Sequence, residues 1–169
     1  MGKLFSVFIL LTVFLNASII DEYKNKNYNK VCSYKNITKY KKNEKILSII
    51  GDSCVKTNNL YMLPYTINYL IHTSVGRKNA IYFLVIFNEK KLLYSFLFDN
   101  FNINSFDFPK TDHVLSVVFN AVKNKQYKKI GDIYLIKNKN LTIKMYKEND
   151  KMIIEEYNQK ELLKRYWFR

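Results

Sequence analysis

The apolar residues in the last third of the chain recur at every second position. Leu141, Ile143 and Met145 alternate with Thr142 and Lys144, which is the pattern of a β-strand with one buried face. Short apolar runs with turn-forming residues between them predict strands over 133–136, 141–146, 152–157 and 162–168, the last of which could also be a short helix. These segments predict an antiparallel β-meander at the carboxyl end of the chain.

Ahead of this region, the apolar residues recur at helical spacing. One helix is predicted from Ile37, with Gly51 as its carboxyl-terminal stop, and a second over 59–73. A later helix begins behind Thr111 or Asp112, either of which can cap it. A helical first half followed by a meander indicates an α+β fold.

The apolar stretch 80–98 allows two interpretations. It can form one long buried helix capped by Asn79, or two strands joined across Asn88–Lys91. The connection contains neither Gly nor Pro, although tight hairpins favour turns such as Asn-Gly. The sequence therefore favours the helix and leaves the hairpin open.

The amino terminus is typical of a secretory signal peptide. Lys3 precedes an apolar run over 4–15, and Ala17 supplies the small residue expected before a cleavage site. An uncleaved membrane anchor is the alternative, but a bilayer-spanning helix needs about 20 apolar residues. Residues 1–17 are therefore predicted to be removed, and the mature chain to be periplasmic or secreted, with no transmembrane segment after the signal peptide.

Export would place the two cysteines in an oxidising compartment. An oxidising compartment favours a structural disulfide between Cys32 and Cys54, and their spacing is not that of a redox or metal-binding motif. Residues 18–36 are polar and predict an extended arm, which the disulfide would fasten to a single α+β domain over 37–169.

The charge balance points to acidic partners. Without Lys3, the chain would carry 27 of its 28 basic residues and all 14 acidic ones, a net charge of +13. Such a surface attracts anionic envelope polymers, and export disfavours nucleic acid as a partner. Lysine greatly outnumbers arginine, however, and AT-rich codons alone would also enrich a chain in lysine.

No catalytic, cofactor-binding or metal-binding motif can be recognised. His72 and His113 are the only histidines, and they lie far apart in the sequence. One weak anion-binding site is predicted at Arg77, Lys78 and Asn79, where two cations meet an expected helix amino terminus. Helix capping with incidental surface charge also explains these residues and is the favoured interpretation.

These features predict a non-catalytic exported envelope protein that binds a protein partner or an anionic surface component. The alternatives are a periplasmic enzyme acting on an envelope polymer and a structural component of a secretion apparatus. A pocket that gathers Arg77, Asp99, His72 or His113 would favour the enzyme. A large exposed apolar patch would favour the structural component.

Overall fold

The chain changes from helix to sheet after residue 123, as shown by a computed structural model that describes residues 18–169. The helices are α1 (Ile19–Lys24), α2 (Tyr28–Val31), α3 (Tyr34–Lys39), α4 (Glu44–Lys56), α5 (Leu63–Ile67), α6 (Ser74–Asp99) and α7 (Val114–Lys123), with a 3-10 helix, Leu60–Met62, directly before α5. The strands are β1 (Lys128–Ile130), β2 (Ile133–Asn138), β3 (Leu141–Glu148), β4 (Lys151–Asn158) and β5 (Glu161–Phe168). The predicted α+β fold is confirmed, and the predicted signal peptide lies outside the described residues.

The five strands form one sheet in the order β1-β2-β3-β4-β5, with every neighbouring pair antiparallel. Met145 of β3 pairs with Ile154 of β4, which in turn pairs with Tyr166 of β5, and all three side chains are buried. Helices α6 and α7 pack against β3 and β2. The alternation seen in the sequence therefore marks the face of the sheet that the helices cover.

The sheet has one strand more than the sequence predicts. Residues 162–168 lie within β5, which settles that segment as a strand. The additional strand is β1, whose three residues are all exposed and carry no alternating pattern. It forms because Gly131, at a φ of +56°, turns the chain so that β1 pairs with β2.

The prediction of an extended arm over 18–36 is wrong, because α1, α2 and the start of α3 lie there. Ser18 and Asp21 form a capping box at the start of α1. Ile19 and Val31 are buried in the core. A few apolar side chains and tertiary packing are enough to hold such short helices, which have no stability of their own in water.

The predicted disulfide between Cys32 and Cys54 is present, with its Cα atoms 4.9 Å apart. It joins the end of α2 to α4, and both cysteines are buried. A crosslink closing a loop of this length stabilises the fold by about 3 kcal/mol in the chain-entropy model.

Gly51 does not end a helix, contrary to the prediction. The chain breaks after α3, and α4 begins at Glu44 behind the cap residue Asn43 and continues through Gly51 to Lys56. A Cβ atom at Gly51 would collide with the ring of Phe83 on α6. The glycine therefore permits a close approach of α4 to α6 rather than a helix stop.

Helix α6 resolves the ambiguous stretch 80–98 in favour of one helix. It starts six residues before the predicted start at residue 80, because the side chain of Thr73 accepts a hydrogen bond from the Gly76 amide and caps it, so Asn79 is not the cap. The helix predicted over 59–73 is shorter in the structure, where the 3-10 helix Leu60–Met62 leads into α5 and α5 ends at Ile67.

Helix α7 is capped by His113 rather than by Thr111 or Asp112, since its Nδ1 atom accepts a hydrogen bond from the Leu115 amide. One cluster of buried apolar side chains extends from Ile19 to Phe168 and so includes both layers. Among the residues described, no helix is both long enough and apolar enough to cross a bilayer.

Candidate anion-binding cleft

The buried face of α6 carries a lysine where an apolar residue is expected. Phe83, Ile86, Lys90, Leu93 and Leu97 recur at intervals of three and four and are all buried. Lys90 is only 6% exposed, yet it makes no hydrogen bond or ion pair with any residue that the structure describes. The ammonium itself is not fully enclosed, and a partly desolvated cation without a partner is a candidate for function.

Lys90 lines a cleft of about 430 Å³ that we call the Lys90 cleft. The other walls come from the loop after α4, from the 3-10 helix and from the end of β5, and they include Asn59, Tyr61, Trp167 and Phe168. The cleft thus lies where the helical layer meets the last strand. Its volume is in the range of small-molecule sites, roughly 300–1,000 Å³.

The polar groups of the Lys90 cleft are incompletely satisfied. Arg169 also lines the cleft, but its guanidinium is paired with Asp150 at 2.7 Å. Asn59 Oδ1 is buried and accepts no hydrogen bond from the residues that the structure describes. Among the described residues, the cleft therefore presents the unpaired ammonium of Lys90 and the buried, unpaired amide oxygen of Asn59 beside its aromatic walls.

Burial, with a smaller contribution from the charge of Lys91, lowers the pKa of Lys90 from its ordinary value of 10.5 to about 8. The amine is still mostly protonated at neutral pH. An anion placed in the cleft would favour the charged form, so binding and protonation would support each other.

Glu89, the neighbour of Lys90 in the sequence, does not neutralise it. Glu89 is fully buried, and neither of its carboxylate oxygens has a hydrogen-bond partner in residues 18–169. Burial raises its pKa to about 7, against a smaller opposing effect of the Ser116 hydroxyl on α7. Two adjacent ionisable residues are thus buried on α6 without forming a pair.

The predicted anion site at Arg77, Lys78 and Asn79 lies in the first two turns of α6. Arg77 donates hydrogen bonds to the carbonyls of Ile71 and His72, and Asn79 donates to the Ser48 hydroxyl at 2.8 Å. These contacts hold α6 in place, and anion binding by the three residues stays a prediction.

An internal carboxylate already lies at this end of α6. Glu44 accepts hydrogen bonds from the amides of His72 and Thr73, at 2.5 and 2.7 Å, and from the Thr73 hydroxyl. These bonds, led by that of the hydroxyl, hold the pKa of Glu44 at about 2. A Cβ atom at Gly76 would collide with the same carboxylate. The carboxylate of Glu44 therefore provides a negative charge at the start of α6.

The histidines and Asp99 are not brought together. His72 and Asp99 are exposed and flank the two ends of α6, on the order of 40 Å apart along a helix of 26 residues. His113 lies in a separate cleft of about 220 Å³ with Asp112, Tyr82 and other polar residues. Burial lowers the pKa of His113 to about 4, and its Nδ1 atom is engaged in capping α7. His113 is therefore neutral at pH 7 and is poorly suited to act as a base there.

Sequence reasoning missed Lys90, although the signal was present. The segment Asn88–Lys91 looks like a polar interruption of an apolar run, which suggests a turn. On one continuous helix, however, the period of 3.6 residues puts Lys90 on the buried stripe with Ile86 and Leu93.

Within residues 18–169, no group of three or more His, Cys, Asp or Glu side chains is arranged to hold a metal ion. The chain matches no family model, no curated protein and no solved structure.

Proposed function

We propose that the protein is an exported, non-catalytic envelope protein that holds an anionic group of a partner molecule or surface polymer in the Lys90 cleft. The observation that carries the proposal is the Lys90 side chain, which is 6% exposed, has no partner among the described residues and lines the cleft. A partly desolvated, unpaired cation in a cleft is a candidate for binding.

The lining of the cleft supports binding rather than chemistry. Tyr61, Trp167 and Phe168 supply apolar walls, and Lys90 supplies a charge. A few fixed polar groups among aromatic side chains are typical of a site that orients a ligand. No histidine, aspartate or glutamate of residues 18–169 lines the cleft to act as a general acid or base.

Export supports an anionic envelope component as the ligand. The amino-terminal sequence is typical of a signal peptide, and the disulfide is compatible with an oxidising compartment. A net charge of +13 on the mature chain would draw the protein towards acidic surfaces, where the cleft supplies a specific contact.

The proposal can be tested by the fluorescence of Trp167, which is the only tryptophan of the chain and lines the cleft. Phenyl phosphate and benzoate are titrated as probes, with benzyl alcohol as the neutral probe of similar shape. We expect both anions to change the emission and benzyl alcohol to bind at least about tenfold more weakly. Such a difference in affinity corresponds to the free energy of one charge-assisted hydrogen bond.

The variant Lys90→Met removes the charge and keeps most of the length of the side chain. Lys91→Met is the matched control, because Lys91 is the exposed neighbour on the same helix. We expect Lys90→Met to lose the anion response, Lys91→Met to keep it, and the wild-type response to weaken above about pH 8 as Lys90 loses its proton. Equal responses of the two variants would overturn the proposal.

An enzyme acting on an envelope polymer is the second candidate. It is favoured by the smaller cleft, where Tyr82 donates a hydrogen bond to Asp112 at 2.8 Å close to His113 and Lys164. If this cleft is catalytic, Asp112→Asn abolishes turnover of the polymer while anion binding at Lys90 continues. Retention of any hydrolytic activity by Asp112→Asn would exclude a catalytic role for this carboxylate.

A further inference from the structure

A stripe of exposed tyrosines leads out of the Lys90 cleft. Tyr61, Tyr65 and Tyr69 are the exposed tyrosines of the continuous segment formed by the 3-10 helix, α5 and the turn that follows. Tyr34 of α3 packs edge-to-face on Tyr65, with ring centroids 5.3 Å apart. All four are exposed, Tyr61 by 62%. We call these four residues the tyrosine stripe.

The stripe and the cleft are continuous, because Tyr61 belongs to both. A ligand whose charge is held by Lys90 would therefore pass over Tyr61 as it leaves the cleft.

The stripe is also free of charge. Residues 57–76 contain no Asp, Glu, Lys or Arg, in a chain of which 25% of the residues are charged. Depletion of charge together with enrichment in tyrosine is typical of the central part of a binding surface. The four rings combine flat apolar faces with hydroxyl groups, so they suit a ligand that is itself ring-shaped and rich in hydroxyls.

We infer that the occupant of the cleft and the stripe is an oligosaccharide with an acidic unit. Its carboxylate lies against Lys90, and its neutral rings stack along Tyr61, Tyr65 and Tyr69. The inference rests on the proposed anion site. An acidic peptide fits the stripe less well, because the segment 57–76, which carries three of the four tyrosines, has no Lys or Arg of its own to pair with a series of carboxylates.

The test compares four probes by calorimetry and by Trp167 fluorescence. They are glucuronic acid, a hyaluronan tetrasaccharide of alternating acidic and neutral sugars, neutral chitotetraose, and an acetylated tetraglutamate peptide. We expect the hyaluronan tetrasaccharide to bind at least about tenfold more tightly than glucuronic acid, and more tightly than either of the other two probes, since stacking on aromatic rings adds to the charge contact.

Tyr65→Ala probes the stripe without touching the cleft, and Phe101→Ala is the control, an exposed aromatic residue on the loop after α6. Tyr65→Ala should weaken binding of the tetrasaccharide roughly three- to tenfold and leave glucuronic acid unchanged. Phe101→Ala should change neither, and thermal unfolding of each variant shows that the fold is retained.

The outcomes separate the two proposals. If binding depends on Lys90 but glucuronic acid and the tetrasaccharide bind equally tightly, the tyrosine stripe does not take part in binding, and the proposed anion site is retained. If tetraglutamate binds more tightly than the hyaluronan tetrasaccharide, the proposal of an oligosaccharide ligand is wrong and the partner is an acidic peptide. If no anion binds in a manner that depends on Lys90, both proposals are wrong.

Discussion

The start and the middle of α6 both bury charge, but they treat it in opposite ways. At the start, Glu44 reaches across from α4 and accepts hydrogen bonds from His72 and Thr73. In the middle, Glu89 is buried without a hydrogen-bond partner in the described part of the chain, and Lys90 is largely buried without one, although its ammonium is not fully enclosed. Buried charges that are hydrogen-bonded are compatible with a stable fold, whereas buried charges without partners destabilise it.

The two glutamates show the difference in their pKa values. Hydrogen bonds to its charged form hold the pKa of Glu44 at about 2, whereas burial raises that of Glu89 to about 7. Relative to the ordinary value of 4.5, Glu44 stabilises the fold above pH 4.5 and loses this contribution as the pH falls to about 2. Glu89 stays protonated in the folded state up to about pH 7, whereas in the unfolded chain it loses its proton near pH 4.5. It therefore destabilises the fold increasingly as the pH rises from 4.5 to about 7.

The largest expected effect is the loss of stability in Glu44→Ala. This change leaves the amides of His72 and Thr73 without their acceptor and removes the contact that ties α4 to the start of α6. Urea unfolding at pH 7 should show a marked fall in the free energy of unfolding. Glu161→Ala, at an exposed strand residue, is the control and should stay within about 0.5 kcal/mol of wild type. A wild-type stability for Glu44→Ala would mean that its hydrogen bonds do not support the fold.

Glu89→Gln should act in the opposite direction. At pH 8 the wild-type carboxylate is charged and buried, so the neutral amide should raise the free energy of unfolding by roughly 2–3 kcal/mol. The gain should shrink as the pH falls from 7 to 4.5, where the wild-type carboxyl is already protonated in the fold. Urea unfolding at pH 4, 6 and 8 measures it, and a gain that does not vary with pH would contradict a raised pKa.

Lys90→Met gives the smallest of the three effects. Removing a buried ammonium should raise the free energy of unfolding by roughly 1–2 kcal/mol at pH 7, while Lys91→Met changes it by less than about 0.5 kcal/mol. The gain should diminish between pH 8 and 10.5, because the wild-type amine is then neutral in the fold. A variant that is more stable but no longer binds anions would show that Lys90 is kept for function. A loss of stability would indicate a structural role instead.

Much of the fold could be predicted because its signals are local. The alternation of Leu141, Ile143 and Met145 requires a strand with one buried face, and the sheet confirms it. The pairing of Cys32 with Cys54 followed from the compartment and from the absence of other cysteines. The helix over 80–98 was favoured by the lack of turn residues alone.

The wrong predictions concern residues whose partners are distant in the sequence. Gly51 is a helix stop by local rules and a contact with Phe83 in the fold. Asn79 is a good cap by type, but Glu44 and Thr73 start the helix earlier. Residues 18–36 look too polar to fold, yet the core accepts Ile19 and Val31.

The sequence by itself determined the α+β order, the disulfide and the strand face that turns inward, because each depends on periodicity or on residue type. The tertiary structure decided which charges are satisfied and which are not. That decision requires knowing what lies opposite each side chain. A carboxylate from α4 meets free amides at the start of α6, and no residue of 18–169 pairs with the ammonium of Lys90. The helical period places Lys90 on the buried side of α6, and only the tertiary structure shows that it lines a cleft without a partner among the described residues.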